Sequence, residues 1–178
     1  MSGIKVLGKD EMADRLALWK DQKPNPQTFV DSRLEEHQRD LYFIIGPGVS
    51  EDPETNPPIT DSPDFNVAYI GADPGKGASL HSHPTVEVFI PFTGKWAIYW
   101  NEGDAYEEVV IGPMDCISVP PGVMRGFRNA GDEHAFMMGI VGGTDAGKVS
   151  WPKELLERAA ASGLQLDAEG NIIEEAAD

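Results

Sequence analysis

His81 and His83 stand one residue apart, Glu87 follows four residues later, and these three side chains could bind a divalent metal ion. Residues i and i+2 of a β-strand point to the same side, so the two imidazoles can face one point. Glu87 cannot join them on a straight strand, because six residues at ~3.3 Å each place it about 20 Å from His81, whereas metal–ligand bonds are ~2 Å long. We therefore predict that the chain bends near Pro84 and that Glu87 lies on a neighbouring strand.

Two imidazoles and one carboxylate leave coordination positions open for water, substrate or oxygen. This is the ligand set of non-haem iron oxygenases, so Fe(II) is the first expectation, although Zn, Mn, Ni or Cu could also bind it. In the alternative hypothesis, the two histidines are hydrogen-bonded residues of a β core and hold no metal. No Ser-His-Asp or Cys-His nucleophile is apparent, and an oxygenase does not need one because the metal activates oxygen or substrate.

Residues 65–143 contain short runs of Val, Ile, Phe, Tyr and Trp that alternate with turn sequences, a pattern that predicts a β-barrel or sandwich. The turns fall at residues 73–75, 101–104, 120–122 and 129–132. Residues 41–45 predict a further strand, and residues 49–64 are a proline- and acid-rich loop.

Helices are expected on both sides of this β region. Met12, Leu16 and Trp19 have the spacing of one helical face and predict a helix over residues 9–20. Leu155, Leu156, Ala159 and Ala160 predict a second apolar helical face, which begins at Pro152 and ends before Gly163. We expect one domain overall: an N-terminal helix, strand and loop in residues 1–64, a barrel in 65–148, and a C-terminal helix with an acidic tail in 149–178.

The glycines around the histidines extend the motif to Gly75, His81, His83, Glu87 and Gly94. This spacing resembles the first motif of the cupin superfamily, and Asp115, Pro120, Gly122 and Asn129 resemble parts of the second. The resemblance covers about residues 65–143 and implies a mainly β, jelly-roll barrel with the metal inside, usually in a homodimer. Cupins include dioxygenases, isomerases, decarboxylases, sugar-binding modules and storage proteins, so the resemblance indicates the fold more closely than the function.

Arg125 stands where metal-binding cupins usually supply a fourth ligand, a histidine, and Met114 replaces the glycine that usually precedes the acidic residue. Arginine has only donors and cannot bind a cation. In one hypothesis, His81, His83 and Glu87 hold the metal alone, and Arg125 grips a substrate carboxylate or carbonyl. In the other, Arg125 pairs with Glu87, and the barrel is a binding module or a metal-free enzyme.

Two further sets of residues bear on the site. Aromatic and aliphatic side chains are core residues by default and could also line a substrate pocket; they are Tyr69, Phe89, Trp96, Ile98, Trp100 and Phe127. The remaining histidines, His37 and His134, lie in polar surroundings and are not expected to be ligands.

Composition excludes several classes of protein. The formal charge of −16 makes nucleic acids and anionic membranes poor partners. Cys116 is the single cysteine, so there is no intramolecular disulfide or thiolate-rich zinc site, and its apolar surroundings predict a buried thiol.

Residues 142–149 resemble a phosphate-binding loop but place Val149 where Ser or Thr is required, so we expect an ordinary loop. No signal sequence or membrane span is apparent, and a cytoplasmic location is expected.

Overall fold

The β-rich region folds as antiparallel sheets in the computed structural model, which describes residues 4–61 and 64–174. The α-helices are α1 (Lys9–Ala13) and α2 (Lys153–Ala161), and short 3-10 helices span Trp19–Asp21, Glu35–His37 and Gly103–Ala105. The strands are β1 (Asp40–Ile45), β2 (Phe65–Ala72), β3 (Gly77–His81), β4 (Glu87–Pro91), β5 (Trp96–Trp100), β6 (Glu107–Ile111), β7 (Ile117–Val119), β8 (Arg125–Asn129), β9 (Ala135–Gly142), β10 (Leu164–Leu166) and β11 (Ile172–Glu174).

Two sheets form the barrel. One has the order β1-β2-β9-β4-β7, the other has the order β3-β8-β5-β6, and β10 and β11 form a separate hairpin. Alternate residues of β9 are buried along its whole length, as expected for a strand with one face on the core. The mainly β jelly-roll fold predicted from the sequence is confirmed.

The main core lies inside the barrel and includes the fully buried side chains of Phe89, Trp96 and Ile98. A second, smaller core lies beneath α2, where Leu155 and Ala159 pack with Val30 and Leu164. The C-terminal helix and its apolar face are therefore confirmed.

The motif glycine Gly94 occupies a position that a larger residue could not. Its φ is +68°, and a Cβ atom added there would lie 2.5 Å from the Cβ atom of Ala135. Met114, which stands where the family usually has glycine, also has a positive φ of 73° and is exposed. The turn therefore keeps the backbone conformation that glycine adopts most readily.

The N-terminal helix predicted over residues 9–20 is wrong in length and in burial. The helix ends at Ala13, and Met12, Leu16 and Trp19 are 54%, 61% and 53% exposed. Trp19 packs instead on the outer face of the barrel, with its ring centroid 4.8 Å from that of Tyr42. A short helix gains little stability by itself, so this aromatic contact and the turns after Ala13 determine the local path.

Cys116 is exposed, which contradicts the predicted buried thiol. It directly precedes β7, where Val119 is buried and Ser118 is exposed. Because the side-chain direction alternates along a strand, Cys116 takes the outward side with Ser118.

The remaining expectations concern the loops and the ends of the chain. Residues 143–149 contain no helix, and α2 begins only at Lys153, so the loop expected there is confirmed. Within the described residues, no helix has the length and apolar character needed to cross a membrane. The last residues of the predicted acidic tail, 175–178, lie outside the described part of the chain.

Candidate metal centre

The three side chains of the first motif lie together inside the barrel. His81 ends β3, His83 follows in the connecting segment, and Glu87 begins β4. One ligating atom from each lies within 4.8 Å of the others, and all three residues are buried. The bend predicted between the histidines and Glu87 is confirmed, although Glu87 comes from the opposite sheet rather than from the strand beside β3.

Both imidazoles are oriented through Nδ1. The Nδ1 atom of His81 lies 2.7 Å from the carbonyl oxygen of Ser79, which can only accept, so this nitrogen carries the proton. The Nδ1 atom of His83 lies 3.1 Å from Oγ1 of Thr85, whose hydroxyl donates to the carbonyl of Ala146. The Thr85 oxygen therefore accepts from His83. Both Nε2 atoms are left with a lone pair, as in histidines that bind metals.

Arg125 approaches the same atoms from the first position of β8. Its Nε donates to Oε2 of Glu87 at 3.0 Å, its Nη1 donates to the carbonyl of Val123 at 3.1 Å, and its Nη2 lies against Nε2 of His83. The arginine is 0% exposed, so these contacts are shielded from water. The pairing of Arg125 with Glu87, one of the two arrangements expected from the sequence, is present.

The protonation states match those required of metal ligands. Burial lowers the pKa of His81 to about 4, so its imidazole is neutral at pH 7. Burial by itself would raise the pKa of Glu87, but the adjacent His83 side chain and the positive charge of Arg125 lower it to about 2. The centre therefore presents a neutral imidazole at His81 beside an ionised carboxylate at Glu87.

The donor set fits a divalent ion such as iron, zinc or manganese, because it combines two imidazole nitrogens with one carboxylate. Arg125 restricts that fit. The single lone pair on Nε2 of His83 can accept a hydrogen bond from Arg125 or bind an ion, but not both. Binding of an ion by all three ligands therefore requires Nη2 of Arg125 to leave His83.

A cavity of about 60 Å³ lies beside the centre and is lined by His81 and Glu87 together with mostly apolar side chains. Its volume is several times what one water molecule needs. Phe127, proposed from the sequence as a pocket residue, lines this cavity, whereas Phe89, Trp96 and Ile98 lie in the packed core.

The other two proposed pocket residues lie elsewhere. Tyr69 lies on the outer face of the barrel, with its ring 5.2 Å from that of Phe92. Trp100 is half-buried and pairs with Arg125 across the β5–β8 ladder. Neither lines the cavity beside the centre.

Two residues that sequence reasoning did not identify also line this cavity. Arg39 comes from the end of the N-terminal segment, and the ring of Trp151 lies 5.2 Å from that of His81. Arg39 directly precedes the β1 strand, and Trp151 precedes the C-terminal helix. Neither belongs to the histidine motif, so only the three-dimensional packing shows that they share its cavity.

The remaining histidines lie outside the centre, as expected. His37 contacts the carbonyl of Gly77 at 3.3 Å, and His134 contacts Asp73 at 2.9 Å. Within residues 4–61 and 64–174, the only group of three or more potential ligands that could hold an ion is the one at His81.

Comparison with known proteins agrees with this geometry. The cupin domain family matches residues 69–141, which include His81, His83, Glu87 and Arg125. Residues 69–141 are a cupin domain. The match covers less than half of the chain, so the flanking segments that supply Arg39 and Trp151 lie outside it. None of the curated proteins matches the sequence.

Solved structures show the same fold at low sequence identity. Oxalate decarboxylase from Lactobacillus farciminis, in a formate complex, aligns with 78% of this chain at 16% identity and a TM-score of 0.55, and the alignment spans 36% of that chain. Peruvianin-I, a cysteine peptidase from Thevetia peruviana latex, aligns with 82% of this chain at 14% identity and a TM-score of 0.56, and the alignment spans 79% of that chain. The named activities of these two proteins differ, so the likeness concerns the fold.

Proposed function

We propose that this cupin holds a divalent metal ion through His81, His83 and Glu87 and is a non-haem dioxygenase for a small organic acid. The observation that carries the proposal is the shared orientation of the imidazoles. Each Nδ1 is bonded to an oxygen, so both Nε2 atoms keep a lone pair at one buried point beside Glu87, and the lone pair of His83 becomes available to an ion once Arg125 leaves it. Fe(II) is the first choice because two histidines and one carboxylate form the ligand set of non-haem iron oxygenases.

The residues of the chain prepare the site for that chemistry. When bound, the ion would supply coordination positions for oxygen and substrate. Glu87 offers one negative charge, and the neutral imidazole of His81 adds no charge of its own. The site is buried and the adjoining cavity is mostly apolar, which lowers the local dielectric constant and strengthens the electrostatic interactions inside the site.

Oxygen consumption tests this proposal. Protein loaded anaerobically with Fe(II) is mixed with a set of short organic acids, and oxygen uptake is followed with an electrode. We expect oxygen uptake that requires both the metal and one class of acid. Both atoms of labelled oxygen should appear in the products, and the uptake should be lost in Glu87→Gln. Stoichiometric iron without any acid-dependent uptake would contradict the dioxygenase assignment while leaving metal binding intact.

A second candidate is a metal-free cupin that binds a small ligand, and a specific observation favours it. Arg125 already occupies Oε2 of Glu87 and Nε2 of His83. A guanidinium that keeps these bonds would fill the position of the ion with a permanent positive charge. This candidate predicts a stable protein without metal, whose stability does not change when a divalent ion is added.

A further inference from the structure

Arg39 is a second buried arginine, on the wall of the cavity beside His81 and Glu87. It lies outside the matched cupin region and in neither of the sequence motifs. Its Nη1 donates to Oδ1 of Asp31 at 3.0 Å and to the carbonyl of His37 at 2.7 Å. Asp31 in turn accepts the backbone N–H of Ser79 on β3. One end of the guanidinium is thus fixed to the barrel.

The other edge of this guanidinium has an unused donor. The Nε atom of Arg39 is buried and has no hydrogen-bond partner among the described residues. Buried donors are nearly always paired, because an unpaired one loses its hydrogen bond to water without replacement. Nε and Nη2 point along the same edge of a guanidinium, which is the geometry that grips both oxygens of a carboxylate.

The rings around Arg39 hold this edge in place. Its guanidinium carbon lies 5.2 Å from the centre of the Phe29 ring and 6.0 Å from that of Phe127. Aromatic rings contact the faces of a guanidinium, whereas its N–H groups lie in its plane, so stacking leaves the donors available. Phe29 and Phe127 also line the cavity.

The charges in the cavity set the direction in which an acid would bind. The Glu87 carboxylate repels an acid group, whereas Arg39 attracts it. Arg125 does not line this cavity, and each of its three guanidinium nitrogens is already bonded within the protein. Arg39 therefore has the free buried donor that Arg125 lacks.

We infer that Arg39 binds the acid group of a short organic acid through its Nε–Nη2 edge and directs the other end of that molecule toward His81 and Glu87. This inference rests on the proposed function for the identity of the acid as a substrate, but it assigns the specificity residue independently of the metal. The ligand class is a carboxylate with a small apolar body, which suits a mostly apolar cavity of about 60 Å³.

The test uses acetate as the probe and acetamide as its uncharged counterpart, with metal-free protein kept in a chelator. Binding is followed by NMR through the indole N–H of Trp151, which lines the cavity and donates to Glu51. In Arg39→Lys, the positive charge beside Asp31 is kept while the two-donor edge is lost. Arg128→Lys serves as the matched control, because Arg128 pairs with Glu108 outside the cavity.

We expect wild-type protein and Arg128→Lys to bind acetate in preference to acetamide. Arg39→Lys should bind acetate at least tenfold more weakly than wild type does, and its melting temperature should stay within a few degrees of the wild-type value. Equal acetate binding by wild type and Arg39→Lys would overturn the inference, as would equal binding of acetate and acetamide by wild type. Because no metal is present, Arg39-dependent binding supports the inference even if the dioxygenase proposal fails. Conversely, iron-dependent oxygen uptake with acetate binding unaffected by Arg39→Lys overturns this inference alone.

Discussion

Arg125 and a divalent ion held by all three ligands would compete for one atom, Nε2 of His83. The guanidinium also satisfies the buried carboxylate of Glu87 at 3.0 Å. In a water-poor site, an ionised group that loses its partner cannot recover the energy by solvation. We therefore expect the same arginine to stabilise the metal-free barrel and to oppose metal binding, and the two effects can be measured separately.

The stabilising effect predicts that Arg125→Ala lowers the free energy of unfolding of the metal-free protein by roughly 3–5 kcal/mol, because Glu87 becomes an unpaired buried charge. Urea denaturation in a chelator measures the change. The double variant Arg125→Met with Glu87→Gln removes both charges and should recover much of the loss. A loss below about 1 kcal/mol for Arg125→Ala would show that this ion pair contributes little to the folded state.

The opposing effect predicts that Arg125→His tightens metal binding, by about tenfold or more, because a competitor is replaced by a fourth imidazole ligand. Competition with a chromophoric chelator gives the dissociation constants. Arg125→Met is the matched control, since it removes the competitor without adding a ligand and should tighten binding less. If neither variant binds more tightly than wild type, Arg125 does not compete with the ion.

At the scale of elements, residues from outside the cupin match complete the cavity. Glu51 holds these outer segments together: its carboxylate accepts the N–H of Val30 at 2.7 Å and the indole N–H of Trp151 at 2.6 Å. Its backbone carbonyl accepts the N–H of Ile172 in β11 at 2.8 Å. A single buried acid thus connects the N-terminal segment, the residue that packs on His81, and the C-terminal hairpin.

The burial of Glu51 predicts that the free energy of unfolding depends on pH. Burial raises its pKa in the folded protein to about 7, against the hydrogen bonds from Trp151 and Val30 that lower it. The pKa of Glu51 is higher in the folded protein than in the unfolded chain, so the protonated carboxyl group favours the folded state. Its contribution to the free energy of unfolding is fully present below about pH 4.5 and is lost as the pH rises through 7, a change of roughly 3 kcal/mol.

Denaturation of wild type and Glu51→Gln across about pH 4 to 8 measures this effect. A glutamine can accept only one of the two hydrogen bonds, which costs about 1 kcal/mol at every pH. The variant should therefore be less stable than wild type at low pH and more stable at high pH, by about 2 kcal/mol. Parallel curves for the two proteins would contradict the assignment of the titration to Glu51.

The contrast between predicted and observed elements has a physical origin. His81, His83 and Glu87 could be predicted because they are close in sequence and strand geometry restricts their arrangement. Residues i and i+2 of a strand share one face, and Glu87 can reach the histidines only if the chain bends. Arg39 and Trp151 could not, because long-range packing brings them to the cavity from opposite ends of the chain. The N-terminal helix was predicted too long because the contact of Trp19 with Tyr42 has no signature in helical periodicity.

At the scale of the whole molecule, the acidic chain encloses two buried arginines. The net charge is −16, yet Arg39 and Arg125 lie in the interior, and each is paired with a buried acid, Asp31 and Glu87 respectively. One arginine contacts His83 and Glu87 of the candidate metal centre, and the other lines the cavity beside it. We expect the first to regulate metal binding and the second to select the acid.

Metal analysis tests the central claim most directly. The protein is purified without affinity-resin metal or chelator, its metal content is measured by mass spectrometry, and its thermal unfolding is compared with and without added Fe(II). We predict about one equivalent of divalent metal per chain, and a stabilisation of about 2.7 kcal/mol at an ion concentration 100 times the dissociation constant. Both effects should disappear in His81→Ala and His83→Ala. A metal-free protein whose unfolding is unchanged by added ion or by chelator would contradict the account.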